Sequence, residues 1–246
     1  MISDRLQQSQ LKHNRPIGII TLEENIPSPP GTPKNPDTFS NPVCYEVVRG
    51  TGLLELDNPA GLQSFLTAGF NLVEKGVCAI SGNCGLMIVY QNQLAAALPV
   101  PVFLSSLLQL PFMARLSGPD SAIGIIASSS NSLSDQHLRI ATCGTPMKTI
   151  VTSMEGKKHF GEAVSENGVL DFKAVQAEVV EVALELVGQH PDVTSILFEC
   201  VDLPPYADAV QQATGLPVFD ITTLIGHVHS TLVRRPFTRM DRRLRT

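Results

Sequence analysis

The chain has 246 residues, 43% of them hydrophobic, enough to bury the core of one large α/β domain or of two lobes. A formal net charge of −5 and an aromatic content of 5% argue against nucleic acid as a partner, because a basic field and stacking rings are both lacking. No apolar run is long enough to span a bilayer and the polar start lacks a signal-peptide core, so the expectation is a cytoplasmic protein that does not bind membranes. Five scattered cysteines, Cys44, Cys78, Cys84, Cys143 and Cys200, suit neither a disulfide framework nor a paired zinc motif and read as free thiols.

In chain order, residues 1–15 form a polar tail, followed by a first strand at 17–22. The stretch 23–41 holds Pro27, Pro29, Pro30, Pro33, Pro36 and Gly31, a density that excludes helix and sheet and suits a lid, a site wall or a plain surface loop. Further strands are predicted at 77–81, 100–104, 122–127, 149–152, 195–199 and 218–221. Helices are predicted at 59–74, 86–98, 105–116, 133–141, 172–189, 206–214 and 222–233, with Ser105 and Ser132 as starting caps and Gly215 just past an end. Residues 234–246 carry six arginines and read as a solvated tail, with subunit contact as the sharper alternative.

Alternation of short apolar runs with helix-length segments is the pattern of parallel sheets covered by helices. The fold class expected is therefore α/β. The halves look alike: a strand ends at Ser81-Gly82-Asn83-Cys84-Gly85 and enters a helix, and half a chain later another ends at Glu199-Cys200-Val201-Asp202 and does the same. In open α/β sheets ligands bind beyond the carboxyl ends of the strands, where both cysteines fall. Start of a helix there would lower a thiol pKa and hold a substrate carboxylate. Each cysteine also reads as a small residue packed in a tight turn, and carboxylates beside Cys200 oppose thiolate formation. His227 and His229 form an H-x-H on a helix, where that spacing points to different faces. No dinucleotide fingerprint, phosphate loop or pyridoxal lysine is recognisable, so no cofactor and no metal are expected.

These motifs, with the run from Phe198 through Leu224, resemble the aspartate/glutamate/hydantoin racemase superfamily over residues 16–233. The resemblance implies two Rossmann-like lobes related by a pseudo-twofold axis, with the active site in the cleft between them. It places 16–116 plus 216–233 in the first lobe and 117–215 in the second, and implies a homo-oligomer. Cys84 and Cys200 would be the catalytic pair, one thiolate removing an α-proton while the opposed thiol protonates the other face. Ser81, Asn83, Gly85, Ser128, Ser129, Ser130, Val201 and Asp202 would bind a small carboxylate substrate.

The chain departs from the amino-acid racemases of this family, which carry Thr-His after the second cysteine where this sequence has Val201-Asp202. Their aspartate after the first strand is replaced loosely by Glu23 or Glu24. The main expectation is a cofactor-independent racemase or epimerase, because both cysteines are retained. The alternatives are a cysteine-dependent isomerase or decarboxylase of a small dicarboxylate and a carboxylate-binding protein without activity.

Overall fold

The computed structural model describes residues 15–50, 59–118 and 120–234. Most of both predicted tails lies outside that range. The described residues contain eight strands: β1 (Ile17–Leu22), β2 (Val43–Val48), β3 (Ala79–Gly82), β4 (Val102–Phe103), β5 (Ala122–Ala127), β6 (Thr149–Ser153), β7 (Val193–Phe198) and β8 (Val218–Phe219). The helices are α1 (Pro59–Glu74), α2 (Gln91–Ala97), α3 (Leu110–Leu116), α4 (Asp135–Thr142), α5 (Lys158–Ala163), α6 (Phe172–Gln189), α7 (Ala207–Thr214) and α8 (Ile221–Leu232).

The strands form two four-stranded sheets of order β2-β1-β3-β4 and β6-β5-β7-β8, parallel throughout. The orders are equivalent, so the second half of the chain repeats the architecture of the first. Strands β1 and β5 are buried along their whole length, which is why both read as uninterrupted apolar runs. Each also carries a glycine beneath a helix. A Cβ on Gly18 would lie 3.0 Å from a Leu72 methyl of α1, and one on Gly124 2.6 Å from a Leu186 methyl of α6. These positions keep the long helices close against their sheets.

A core cluster fills each lobe, and a further one joins them: Ile88, Leu107, Leu110 and Met113 from the first half pack with Ile123, Ile125, Ala141 and Leu197 from the second. Buried hydrogen bonds tie the same boundary, from Ser106 Oγ to the Phe198 carbonyl (2.8 Å) and from Gln109 Nε2 to the Asp220 carbonyl (2.9 Å). Asp220 also caps α8, its Oδ1 accepting from Thr223 N at 2.8 Å and Thr222 Oγ1 at 2.7 Å. Asp220→Ala is expected to cost about 1–2 kcal/mol. Thermal unfolding would read this as a Tm lower by about 2–8 °C.

Several expectations need correction. The edge strand β2 went unread because its side chains are mostly half-exposed and it follows the proline-rich stretch. Helix α5 is a six-residue turn of helix with little periodicity to detect. Residues 86–98 and 105–116 each begin as 3-10 turns, Gly85–Tyr90 and Ser106–Gln109, before becoming α-helical. Cap Ser105 holds, but α4 is capped by Ser134 rather than Ser132. Residues 218–219 pair with β7 in the second sheet, so the return to the first lobe falls at Asp220 and not at residue 216. From there α8 packs Ile221 and Ile225 against Ile17, Ile19 and Phe103. No helix among the described residues is long and apolar enough to cross a membrane.

Candidate active site

In each sheet the chain leaves its first strand toward one neighbour and later returns on the other side, which opens a crevice at the carboxyl ends of β1 and β3, and of β5 and β7. The two crevices face each other. A cavity of about 130 Å³ lies between them, lined from the first lobe by Glu24, Ile26, Asn83, Cys84, Gly85 and Leu86. Ser128, Val164, Glu199, Cys200, Val201 and Asp202 line it from the second. Four of the loops that line it follow the four strands named, so topology alone brings Cys84 and Cys200 to one chamber.

Both thiols are 9% exposed. Cys84 precedes the 3-10 turn in an extended conformation, and the Leu86 N–H favours its thiolate. Burial and the nearby Glu199, Glu24 and Asp202 outweigh that donor and push the thiol well above its ordinary pKa. Cys200 is also raised well above the ordinary value, by burial first and then by Asp202 and Glu199. Its Sγ donates to Asp202 Oδ2 at 3.8 Å. Cys200 thus has a carboxylate positioned to receive its proton.

The carboxylates divide by environment. Glu199 is 3% exposed and is pushed up to about 7 by burial. Asp202 is pushed up to about 6 by burial and by Glu24, with Lys34 and the Cys200 thiol acting the other way. Glu24 is held by Lys34, Oε2 to Nζ 2.9 Å. Glu23 is turned to solvent near Arg49, so of the two glutamates it is Glu24 that reaches the cavity.

The proline-rich stretch is a wall of the site. Its Asn25 exchanges hydrogen bonds with the second lobe, the carbonyl accepting from Asn167 N at 3.0 Å and the amide donating to Glu166 Oε2 at 3.4 Å. Farther along, Gly31 at φ +107° abuts Pro205, with room for no side chain.

Of the binding residues expected, Asn83, Gly85, Ser128, Val201 and Asp202 line the cavity and Ser81, Ser129 and Ser130 do not. Ser81 is buried in β3. The backbone N–H and hydroxyl of Ser130 both bond Glu155, and Ser129 Oγ accepts from Asn131 N. These two serines belong to a turn that folds away from the chamber. Both ends of the buried Asn83 amide lack a hydrogen-bond partner among the described residues. Such groups lose their hydration without compensation unless a ligand meets them. In the sequence Glu199 stands only as an obstacle to ionising Cys200, and Ile26, Leu86 and Val164 carry no polar signal to find them by.

The parallel two-lobed α/β architecture is the fold of arylmalonate decarboxylase and of the Asp/Glu racemases. Unliganded arylmalonate decarboxylase superposes with a TM-score of 0.62 at 14% identity, covering 90% of this chain and 94% of that one. Glutamate racemase from Francisella tularensis superposes at 0.53 and 15% identity, over 90% and 81%. No family model matches the sequence. Among curated proteins, the dimethylsulfoniopropionate lyase of Durusdinium sp. clade D is 33% identical over 213 residues, 83% of this chain and 70% of that protein. Dimethylsulfoniopropionate lyase 6 of Emiliania huxleyi is also 33% identical, over 89% of this chain and 60% of its own length. The chain belongs to the dimethylsulfoniopropionate lyase family. These relatives are named lyases, not isomerases, so the similarity supports an enzyme of the lyase kind better than the racemase first expected.

Proposed function

We propose that the chain is a lyase that splits a small carboxylate bearing a cationic onium group, with dimethylsulfoniopropionate as substrate. The charge of the chamber carries this reading. Its ionisable wall residues besides the two thiols are Glu24, Glu199 and Asp202, and no lysine, arginine or histidine among the described residues lines it. A second carboxylate on the substrate would meet like charge without a counter-ion, whereas a sulfonium offsets it. Ile26, Leu86, Val164 and Val201 supply apolar surface for S-methyl groups. The volume is small against the roughly 300–1,000 Å³ of drug-sized pockets, which suits a short substrate.

The reaction needs one base. The Asn83 amide and Ser128 hydroxyl hold the substrate carboxylate, and the thiolate of Cys200 removes a proton from the α-carbon. The C–H electron pair becomes the second bond between the α- and β-carbons. The bond from the β-carbon to sulfur breaks with its pair on sulfur, leaving dimethyl sulfide and acrylate. The proton taken by Cys200 passes to Asp202 and on to water. Without a bound cation, burial and the neighbouring Asp202 and Glu199 hold the thiol protonated. Arrival of a fixed positive charge reverses that balance and favours the thiolate where substrate is bound.

Purified protein incubated with dimethylsulfoniopropionate is expected to release dimethyl sulfide into the headspace with one equivalent of acrylate in solution. Exchange of amino-acid α-protons without either product would return the site to racemase chemistry.

A further inference from the structure

The proposed lyase reading leaves open which group recognises the positive charge. We infer that Glu199 is the cation-recognition residue of the cleft, its carboxylate meeting the onium group of the substrate. This inference rests on that reading for the identity of the substrate, and on independent geometry for the site.

Three carboxylates reach the chamber, and two are already engaged. Glu24 Oε2 is paired with Lys34 Nζ at 2.9 Å, so its charge is met before any ligand enters. Asp202 Oδ2 accepts the Cys200 thiol at 3.8 Å, the contact that the proton transfer requires. Glu199 is 3% exposed, lines the chamber and its side chain has neither an ion pair nor a hydrogen bond among the described residues. A buried carboxyl with no partner is costly to keep unless a ligand supplies the counter-charge.

Its position is built rather than incidental. Glu199 directly follows β7, its backbone N–H on the Ile126 carbonyl at 3.0 Å, which fixes the main chain at the mouth of the second sheet. From there the side chain crosses toward the first lobe and lies against Gly85. A Cβ at residue 85 would stand 2.1 Å from Glu199 Oε1 and 2.6 Å from its carbonyl oxygen. The absent side chain at residue 85 therefore makes room for this carboxylate between the two cysteine-bearing loops. A permanent cation held there is adjacent to both thiols, whose ionisation Glu199 opposes when no cation is present.

The test separates charge from shape. Two unreactive probes share the carboxylate and the chain length: 3-(trimethylammonio)propionate carries a fixed positive charge, and 4-methylpentanoate replaces the sulfonium by carbon. Calorimetry at pH 8 is expected to show wild type binding the charged probe about 30-fold or more tightly than the neutral one. In Glu199→Gln that ratio is expected to fall below about threefold, with affinity for 4-methylpentanoate unchanged or improved. Thermal melting of the same variant checks that it is folded. A preference retained in Glu199→Gln and lost in Glu24→Gln would overturn the assignment. Dimethyl sulfide release by wild type with no charge preference would also overturn it while leaving the lyase reading intact. Charge preference lost in Glu199→Gln without any dimethyl sulfide release by wild type would uphold the cation site and remove the lyase reading.

Discussion

Cys200→Ala is expected to lower kcat on dimethylsulfoniopropionate by about 10³ or more, because it removes the proposed base, and general base catalysis commonly supplies about 10²–10⁴. Cys84→Ala is expected to lower it by about tenfold, through lost packing of the chamber wall. The asymmetry follows from the proton path. Cys200 has Asp202 Oδ2 within 3.8 Å to accept its proton, and Cys84 has only a backbone donor favouring its thiolate. Two-base racemisation makes the opposite demand, since loss of either thiol stops proton delivery to one face. Binding of 3-(trimethylammonio)propionate to Cys200→Ala should match wild type, placing the loss in the chemical step. Equal collapse of kcat in both variants would contradict the one-base path.

The second large effect is on stability. Burial raises Glu199 from 4.5 to about 7 in the folded protein, while the unfolded chain titrates near 4.5. Between those values the folded state binds more protons than the unfolded, so stability falls as pH rises and the cost is complete above pH 7. For a displacement of this size the cost is about 3 kcal/mol. Glu199→Gln removes the titration. Its stability relative to wild type is therefore expected to rise by about 3 kcal/mol between pH 4 and pH 8, measured by urea unfolding at both. Asp202, also raised, acts in the same direction in both proteins and drops out of the comparison. A relative stability independent of pH would show that Glu199 is not buried as an isolated carboxyl. A residue kept at such a cost is what recognition of a cation at this point would require, and the variant that gains stability should lose discrimination.

Strong periodicity made part of this fold legible. The bounds of β1, β5, α1 and α6 follow directly from apolar runs and helical spacing, since each element is long or wholly buried. The strands predicted at 100–104 and 218–221 shrink to the two-residue β4 and β8, too brief for their bounds or their sheet to be read, and pairing with β7 places β8 in the second sheet. The two cysteines could be found because each closely follows a strand in matching contexts. Their co-location needed the equivalent sheet orders, which no single motif encodes. Serines after β5 were chosen by strand position alone, and a turn bonded to Glu155 carries Ser129 and Ser130 away while Ser128 stays. Glu199 adjoins Cys200 in the sequence, yet its place in the chamber depends on Gly85 from the other half of the chain. Loss of the family's Thr-His after the second cysteine, replaced by Val201-Asp202, was the one trace in the sequence of a chamber charged for a different substrate.

The measurement that bears most directly on the cleft is proton NMR in D₂O of the reduced protein with dimethylsulfoniopropionate, beside a panel of amino acids. Vinyl resonances of acrylate are expected to grow in step with the singlet of dimethyl sulfide, while the α-protons of every amino acid persist. Unchanged dimethylsulfoniopropionate together with deuterium entering the α-position of an amino acid would contradict the lyase reading.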